Sequence, residues 1–119
     1  MSTHSIVHIE ISAVDREASG KFYSELFGWH VEQMPEMNYA TFDTHNGVGG
    51  GFNPVNDTNP AGLVTVYVGT DDINSSLAKV EKLGGKTYVP KTEIPGMGWF
   101  AIFSDPSGNK IGLYTELPK

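Results

Sequence analysis

Two residues carry the types and spacing of an acid–base pair. His8 and Glu10 stand one pleat apart in Ile6-Val7-His8-Ile9-Glu10-Ile11, a stretch whose side chains alternate with period two. Val7, Ile9 and Ile11 point one way, and Ile6, His8, Glu10 and Ser12 the other. A carboxylate beside an imidazole favours the charged ring and lets it shuttle protons near neutral pH. The same pair also reads as polar residues of a sheet face, hydrogen-bonded to each other and without chemistry. No Ser-His-Asp arrangement is readable, and a chain without cysteine has no Cys-His pair. His4, His30, His45 and Asp43 do not converge with His8 by spacing.

Large rings are the second resource. Trp29, Tyr39, Phe42, Phe52, Tyr67, Trp99, Phe100, Phe103 and Tyr114 are many for 119 residues. Phe22 and Phe27, on an expected helix, are assigned to the core. Ile94-Pro95-Gly96-Met97-Gly98-Trp99 reads as a flexible rim over a cavity or as an ordinary hairpin connection. Gly49-Gly50-Gly51 reads as curvature of a rolled sheet or as a close approach of ligand to backbone, the first being preferred.

Composition bounds the partners. Eight Lys+Arg against fourteen Asp+Glu give a net charge of -6, and an acidic surface repels phosphate backbones, so nucleic acid is not an expected partner. Absence of cysteine removes disulfides and thiolate metal sites and is compatible with the cytoplasm, where we expect the protein. Met1-Ser2-Thr3-His4 is polar and does not read as a secretory leader. No apolar run is long enough to span a membrane.

The elements that position these residues come in two sets. Asp15 offers an N-cap, Ala18, Phe22 and Leu26 follow at helical spacing, and Gly28 stops the helix. Strands are expected at Ser5 to Ser12, Trp29 to Met34, Asn38 to Thr44 and Val48 to Asn53. Residues 55–62 form a polar, Pro- and Gly-containing linker. The order then repeats. A strand runs from Leu63 to Val68, and a helix capped by Asp71 or Asp72 carries Ile73, Leu77 and Val80. Gly84-Gly85 ends it, and strands follow at Lys86 to Val89, Trp99 to Ser104 and Lys110 to Thr115. Asp15 and Asp71 are separated by the same distance along the chain as Gly28 and Gly84, so one unit occurs twice. The expected class is α+β: a single domain over residues 1–119, with one βαβββ module over about 5–54 and a second over about 63–116.

The ordered set of motifs resembles the vicinal oxygen chelate superfamily, the glyoxalase, bleomycin-resistance and extradiol dioxygenase proteins. It comprises Val7-His8-Ile9-Glu10-Ile11, Asp15 and Phe22-Tyr23-Ser24-Glu25-Leu26-Phe27-Gly28-Trp29 in the first half. In the second it comprises Val66-Tyr67-Val68, Asp71-Asp72-Ile73, Leu83-Gly84-Gly85-Lys86 and Phe103-Ser104-Asp105-Pro106-Ser107-Gly108-Asn109-Lys110-Ile111-Gly112-Leu113. Asp105 to Asn109 has the chemistry of a tight hairpin connector and is assigned a structural role. The resemblance implies that each module rolls its strands into a half-open cup with its helix on the convex side, and that two cups enclose a cavity in a rolled mixed β-sheet. Metal-using members supply four ligands to a divalent ion. Carried over residue by residue, these positions are His8, Gly50 or Gly51, Thr65 and Gly112, so three of four are lost and no metal or other cofactor is expected.

What the resemblance then implies is a glyoxalase-like protein that binds a small, partly aromatic organic ligand, or an enzyme of unassigned reaction. His8 and Glu10 are its candidate catalytic pair, and Phe52, Thr65, Tyr67, Met97, Trp99 and Tyr114 its candidate ligand contacts. The rivals are a metal-dependent lyase, isomerase or dioxygenase of the same superfamily, and a drug-sequestering protein like the bleomycin-resistance members. A homodimer is expected, since open sheet edges invite pairing, and neither nucleic acid nor membrane is an expected partner.

Overall fold

The computed structural model describes residues 4–57 and 59–118. Met1, Ser2 and Thr3 of the polar start and Thr58 of the expected linker lie outside the described residues. Eight strands and two helices follow in the expected order: β1 (Ile6–Ala13), α1 (Arg16–Phe27), β2 (His30–Met34), β3 (Tyr39–Asp43), β4 (Gly50–Pro54), β5 (Val64–Gly69), α2 (Ile73–Lys82), β6 (Lys86–Ile94), β7 (Gly98–Ser104) and β8 (Lys110–Glu116). A single 3-10 turn, Pro35–Met37, joins β2 to β3. Parallel and antiparallel pairings both occur, as an α+β fold of two βαβββ modules requires. Among the described residues no helix is long and apolar enough to cross a membrane.

The chain divides into two compact units, which cut through β1 and β5 rather than through the linker. One is His8–Thr65; the other joins the described residues up to Val7 to those from Val66 onward. In the first unit the strand order is β2-β3-β4-β1. The β1–β4 ladder is parallel, with Glu10 opposite Gly51 and Ile11 opposite Phe52, and β3 pairs antiparallel with both β2 and β4. Asp15 caps α1, its carboxylate accepting from the Glu17 and Ala18 amides, and Gly28 ends the helix in the left-handed region at φ 76°. Gly20 and Tyr23 form the inward side of α1. Tyr23 stacks on Trp29 and on Phe52, and Ala13, Ala40, Phe42 and Phe52 complete the core with Ile9 and Ile11 against it. The alternation read in β1 thus holds: Ile9 and Ile11 face the helix, and His8 and Glu10 share the opposite face.

Phe22, Leu26 and Phe27 depart from expectation. They are more than half exposed instead of core. A side chain at Gly20 would reach to 2.8 Å from Val31, so the bare glycine lets α1 lie close on β2 through its Gly20–Tyr23 side. The apolar stripe read from Ala18, Phe22 and Leu26 is therefore turned outward.

In the second unit the order is β5-β8-β7-β6, with β5–β8 parallel and the others antiparallel. Asp72, not Asp71, caps α2, accepting from the Ser75 amide at 3.0 Å. Ile73 and Leu77 of α2 pack on Ala101 and Leu113, with Val68, Trp99 and Phe103 alongside. β6 runs beyond Val89 to Ile94, with a register shift on either side of Val89, the second of them spanning Pro90. Pro90 has no amide hydrogen to give a ladder, and an irregular strand at the end of the order tolerates it.

Candidate functional site

The site grows from the polar face of β1. His8 and Glu10 stand side by side there, and the His8 Nε2 atom meets the Glu10 Oε2 atom. A third residue joins them. The Tyr39 hydroxyl donates to the same Glu10 Oε2 atom and lies 3.0 Å from His8 Nε2. Tyr39 opens β3, which is separated from β1 by β4. Its ring therefore spans an intervening strand, and the residue under it on β4 is Gly51, the register partner of Glu10. A Cβ at Gly51 would sit 1.7 Å from the Tyr39 hydroxyl oxygen and 2.0 Å from Cζ. The glycine is what lets the phenol cross. Glu10 is the more enclosed partner, its side chain 12% exposed against 31% for His8.

Sequence reasoning had placed Tyr39 among the rings without a role. The available signal was a glycine in a strand, which marks close approach of another group. The approaching group is the chain's own phenol rather than a ligand.

Of the expected ligand contacts, Phe52 is corrected. It is fully buried in the core under α1, because register with Ile11 and Ala40 puts it on the helix side. Trp99 is corrected likewise. It lies with Ala101 and Phe103 on the α2 side, beneath the Lys91 ammonium at 5.1 Å. Thr65, the last residue of the first unit along the chain, is buried.

In the second unit Tyr67 and Tyr114 do share a face, opposite the α2 side to which Leu113 and Val68 belong. Phe100, the register partner of Tyr114, and Ile102, the partner of Gly112, extend that face; sequence reasoning gave neither this place. The Tyr67 ring covers Gly112, where a Cβ would come within 2.3 Å of it. Tyr114 donates to the Met97 carbonyl at 3.2 Å, which the Leu117 amide also reaches at 3.0 Å. Burial pushes the Tyr114 phenol up from its ordinary value, and the nearby negative charge of Glu116 adds to it. Ile94 to Met97 is a tight turn closed by Met97 N–H to Ile94 O at 2.9 Å. Pro95 and Gly96, the latter at φ 76°, occupy the positions of a type II turn. Met97 is thus half-exposed at an ordinary hairpin connection.

The residues at the four positions implied for a metal do not fit one. His8 is a good donor atom source, but a side chain at Gly51 would collide with Tyr39, and one at Gly50 would come within 1.8 Å of the Ile9 carbonyl oxygen. Gly112 is covered by Tyr67, and a threonine hydroxyl is a poor ligand for transition metals. Among the described residues no group of three His, Cys, Asp or Glu side chains is placed to hold an ion.

The glyoxalase/bleomycin resistance protein/dioxygenase superfamily model matches residues 5–113. The chain belongs to this superfamily. Superfamily relatives include the anthracycline biosynthesis protein DnrV of Streptomyces peucetius, 28% identical over 125 residues covering 90% of this chain and 45% of that protein. A glyoxylase-like domain-containing protein of Didymella fabae is 29% identical over 117 residues, covering 91% of each. The chain spans about half the length of the first curated relatives it matches, 43% and 45%. Among solved structures, methylmalonyl-CoA epimerase from Mycobacterium tuberculosis matches with a TM-score of 0.72 at 13% identity, covering 99% of this chain and 93% of that one. A superfamily member from Vibrio splendidus 12B01 matches with a TM-score of 0.68 at 15% identity, covering 94% and 98%. These structural likenesses establish the superfamily fold.

Proposed function

We propose that this superfamily member binds a small organic molecule without a catalytic metal, through the His8–Glu10–Tyr39 group. The observation that carries the reading is the convergence of an imidazole and a phenol on one carboxylate oxygen. Tyrosine rings meanwhile fill the space over two glycines that stand where metal-using relatives place ligands. A mostly buried carboxylate with two attached donors gives a ligand a fixed polar anchor, and His8 beside it is the acid–base partner if chemistry follows. Taken by itself, the second unit's ring-bearing face is proposed as a separate ligand-contact surface, with Tyr67, Tyr114 and the half-exposed Met97 of the adjoining turn as its contacts. The relative named for anthracycline biosynthesis favours a planar, partly aromatic ligand. Binding alone, as in drug sequestration, uses the same anchor. Its mark is recovery of the ligand unchanged.

The test has two arms. Elemental analysis after purification without chelators, followed by titration with Ni, Zn, Fe and Mn, is expected to show substoichiometric metal and no stabilisation. A thermal-shift screen of planar aromatics is expected to return ligands whose effect disappears in His8→Ala. Near-stoichiometric metal that is lost in His8→Ala would overturn the reading in favour of a metal-dependent lyase, isomerase or dioxygenase.

We also propose a homodimer. The outward Phe22, Leu26 and Phe27 of α1 form an apolar helix face of the kind a second copy covers. Light scattering on the eluted protein tests this. Dimer mass that falls to monomer in Phe22→Glu supports it, and a monomer at high concentration overturns it.

A further inference from the structure

We propose that the site selects neutral ligands that donate a hydrogen bond, such as phenols, enols and N–H groups, and that Tyr39 is the positioning residue behind that choice. The inference rests on the small-molecule reading above and narrows it to a ligand class.

A carboxylate offers acceptor sites on both oxygens. In Glu10 the two internal donors meet on one of them: His8 and Tyr39 both engage Oε2. Among the described residues Oε1 carries no hydrogen bond. The side chain is largely enclosed, at 12% exposure, yet Oε1 is not a fully buried atom, so the unused oxygen is an acceptor within reach of an entering donor. The Tyr39 hydroxyl reaches Oε2 from across β4, and the contact fixes the rotation of the carboxylate and hence the direction of Oε1.

Charge sets the other half of the preference. The first unit has two Lys or Arg side chains, Arg16 and Lys21, both on α1. Arg16 binds the Gln33 side chain at 3.4 Å, and Lys21 pairs with Glu25 at 3.8 Å. Neither is engaged with Glu10. An anionic ligand would meet a carboxylate whose one basic neighbour, His8, is already engaged on Oε2, with no Lys or Arg paired to it, within a chain of net charge -6. Carboxylates and phosphates are therefore disfavoured, and neutral donors favoured.

Fluorescence titration with 2-naphthol, its methyl ether and 2-naphthoate tests this, on the wild-type chain, Tyr39→Phe and Glu10→Gln, with melting temperatures recorded for each. Wild type is expected to bind 2-naphthol at least about tenfold more tightly than the ether, the range of a charge-assisted hydrogen bond, and 2-naphthoate more weakly than either. Tyr39→Phe keeps the ring over Gly51 but removes the donor, and is expected to shrink the naphthol-to-ether ratio to about threefold or less. A merely structural Tyr39 would shift both affinities and leave their ratio intact, which would overturn its positioning role. Glu10→Gln is expected to abolish the preference even if Tyr39→Phe folds poorly. Equal binding of naphthol and ether by wild type overturns the selectivity and leaves the small-molecule reading standing. Failure of all three probes to bind overturns both.

Discussion

The Tyr39 phenol occupies the space that a side chain at Gly51 would need, at 1.7 Å from an ideal Cβ. The pair joins three strands: β3 supplies the ring, β4 the gap, and β1 the Glu10 carboxylate that accepts the hydroxyl's hydrogen bond. Space on β4 thus controls a hydrogen bond on β1.

Gly51→Ala should therefore act on both stability and site. The added methyl meets a ring, not the end of a flexible chain, and overpacking of this kind costs about 1–3 kcal/mol. Urea unfolding is expected to show that loss. In Gly51→Ala/Tyr39→Ala the clash has no partner, so the two costs should fall short of adding. Strict additivity would mean that the two residues do not compete for the same space.

Phe52 and Phe22 give opposite expectations for the same substitution. Phe52 is fully buried among Tyr23, Phe42 and Ile11, whereas Phe22 is 59% exposed. Phe52→Ala should cost about 3–5 kcal/mol in denaturant unfolding. Phe22→Ala should cost less than about 1 kcal/mol in the monomer. Comparable losses would show that the outward face of α1 is covered.

Much of this arrangement was legible in the sequence because it depends on local periodicity and caps. The alternation in β1 placed Ile9 and Ile11 under α1 and left His8 and Glu10 together. Asp15, Gly28 and Gly84 stand at the helix ends where their chemistry put them. Features that depend on which strands are neighbours were not legible. Tyr39 becomes part of the site through the order β3-β4-β1, and no spacing along the chain reports that order. Phe52 follows a glycine run whose own residues give no parity, so its face is set by pairing with Ile11 and Ala40. Trp99 took its face from a turn read as a cavity rim, when strand β7 already begins at Gly98. The outward turn of Phe22 follows from Gly20, whose meaning depends on β2 lying against it.

The helix caps separate two adjacent aspartates. Asp72 accepts from the Ser75 amide, and an Asp72→Ala change should cost about 0.5–2 kcal/mol, as should Asp15→Ala. Asp71→Ala leaves that cap bond in place and should cost less than Asp72→Ala in the same unfolding assay. The reverse order would transfer the cap to Asp71.

Alkaline stability should depend on Tyr114. Burial first, and Glu116 second, raise its phenol above the ordinary value near about 10. A proton held more tightly by the folded chain stabilises it fully below the unfolded value, and that contribution is lost as pH rises through the folded one. Tyr114→Phe should flatten the loss of stability measured above about pH 10, and Glu116→Gln should move the phenol's absorbance transition to lower pH. An unchanged transition in Glu116→Gln would remove the charge from the account and leave burial alone.

Asp105 makes the opposite prediction in acid. The Asn109 side chain, then its amide, together with the Ser107 and Gly108 amides, stabilise the ionised carboxylate and hold it below the ordinary aspartate value. A lowered carboxylate contributes stability above its unfolded value, near about 3.9, and loses it as pH falls through the folded one. The group is solvent-exposed, so the contribution is small and the direction is the prediction. Asp105→Ala should lower stability at neutral pH and reduce the further loss between about pH 4 and pH 2. The β7–β8 connector is where the damage should appear, because the Asp105 amide also bonds the Asn109 carbonyl at 2.9 Å. Amide exchange at Ser107 and Asn109 should therefore rise in the variant. If the neutral-pH stability drops while those two amides stay protected, the carboxylate's hydrogen bonds are not what closes the turn.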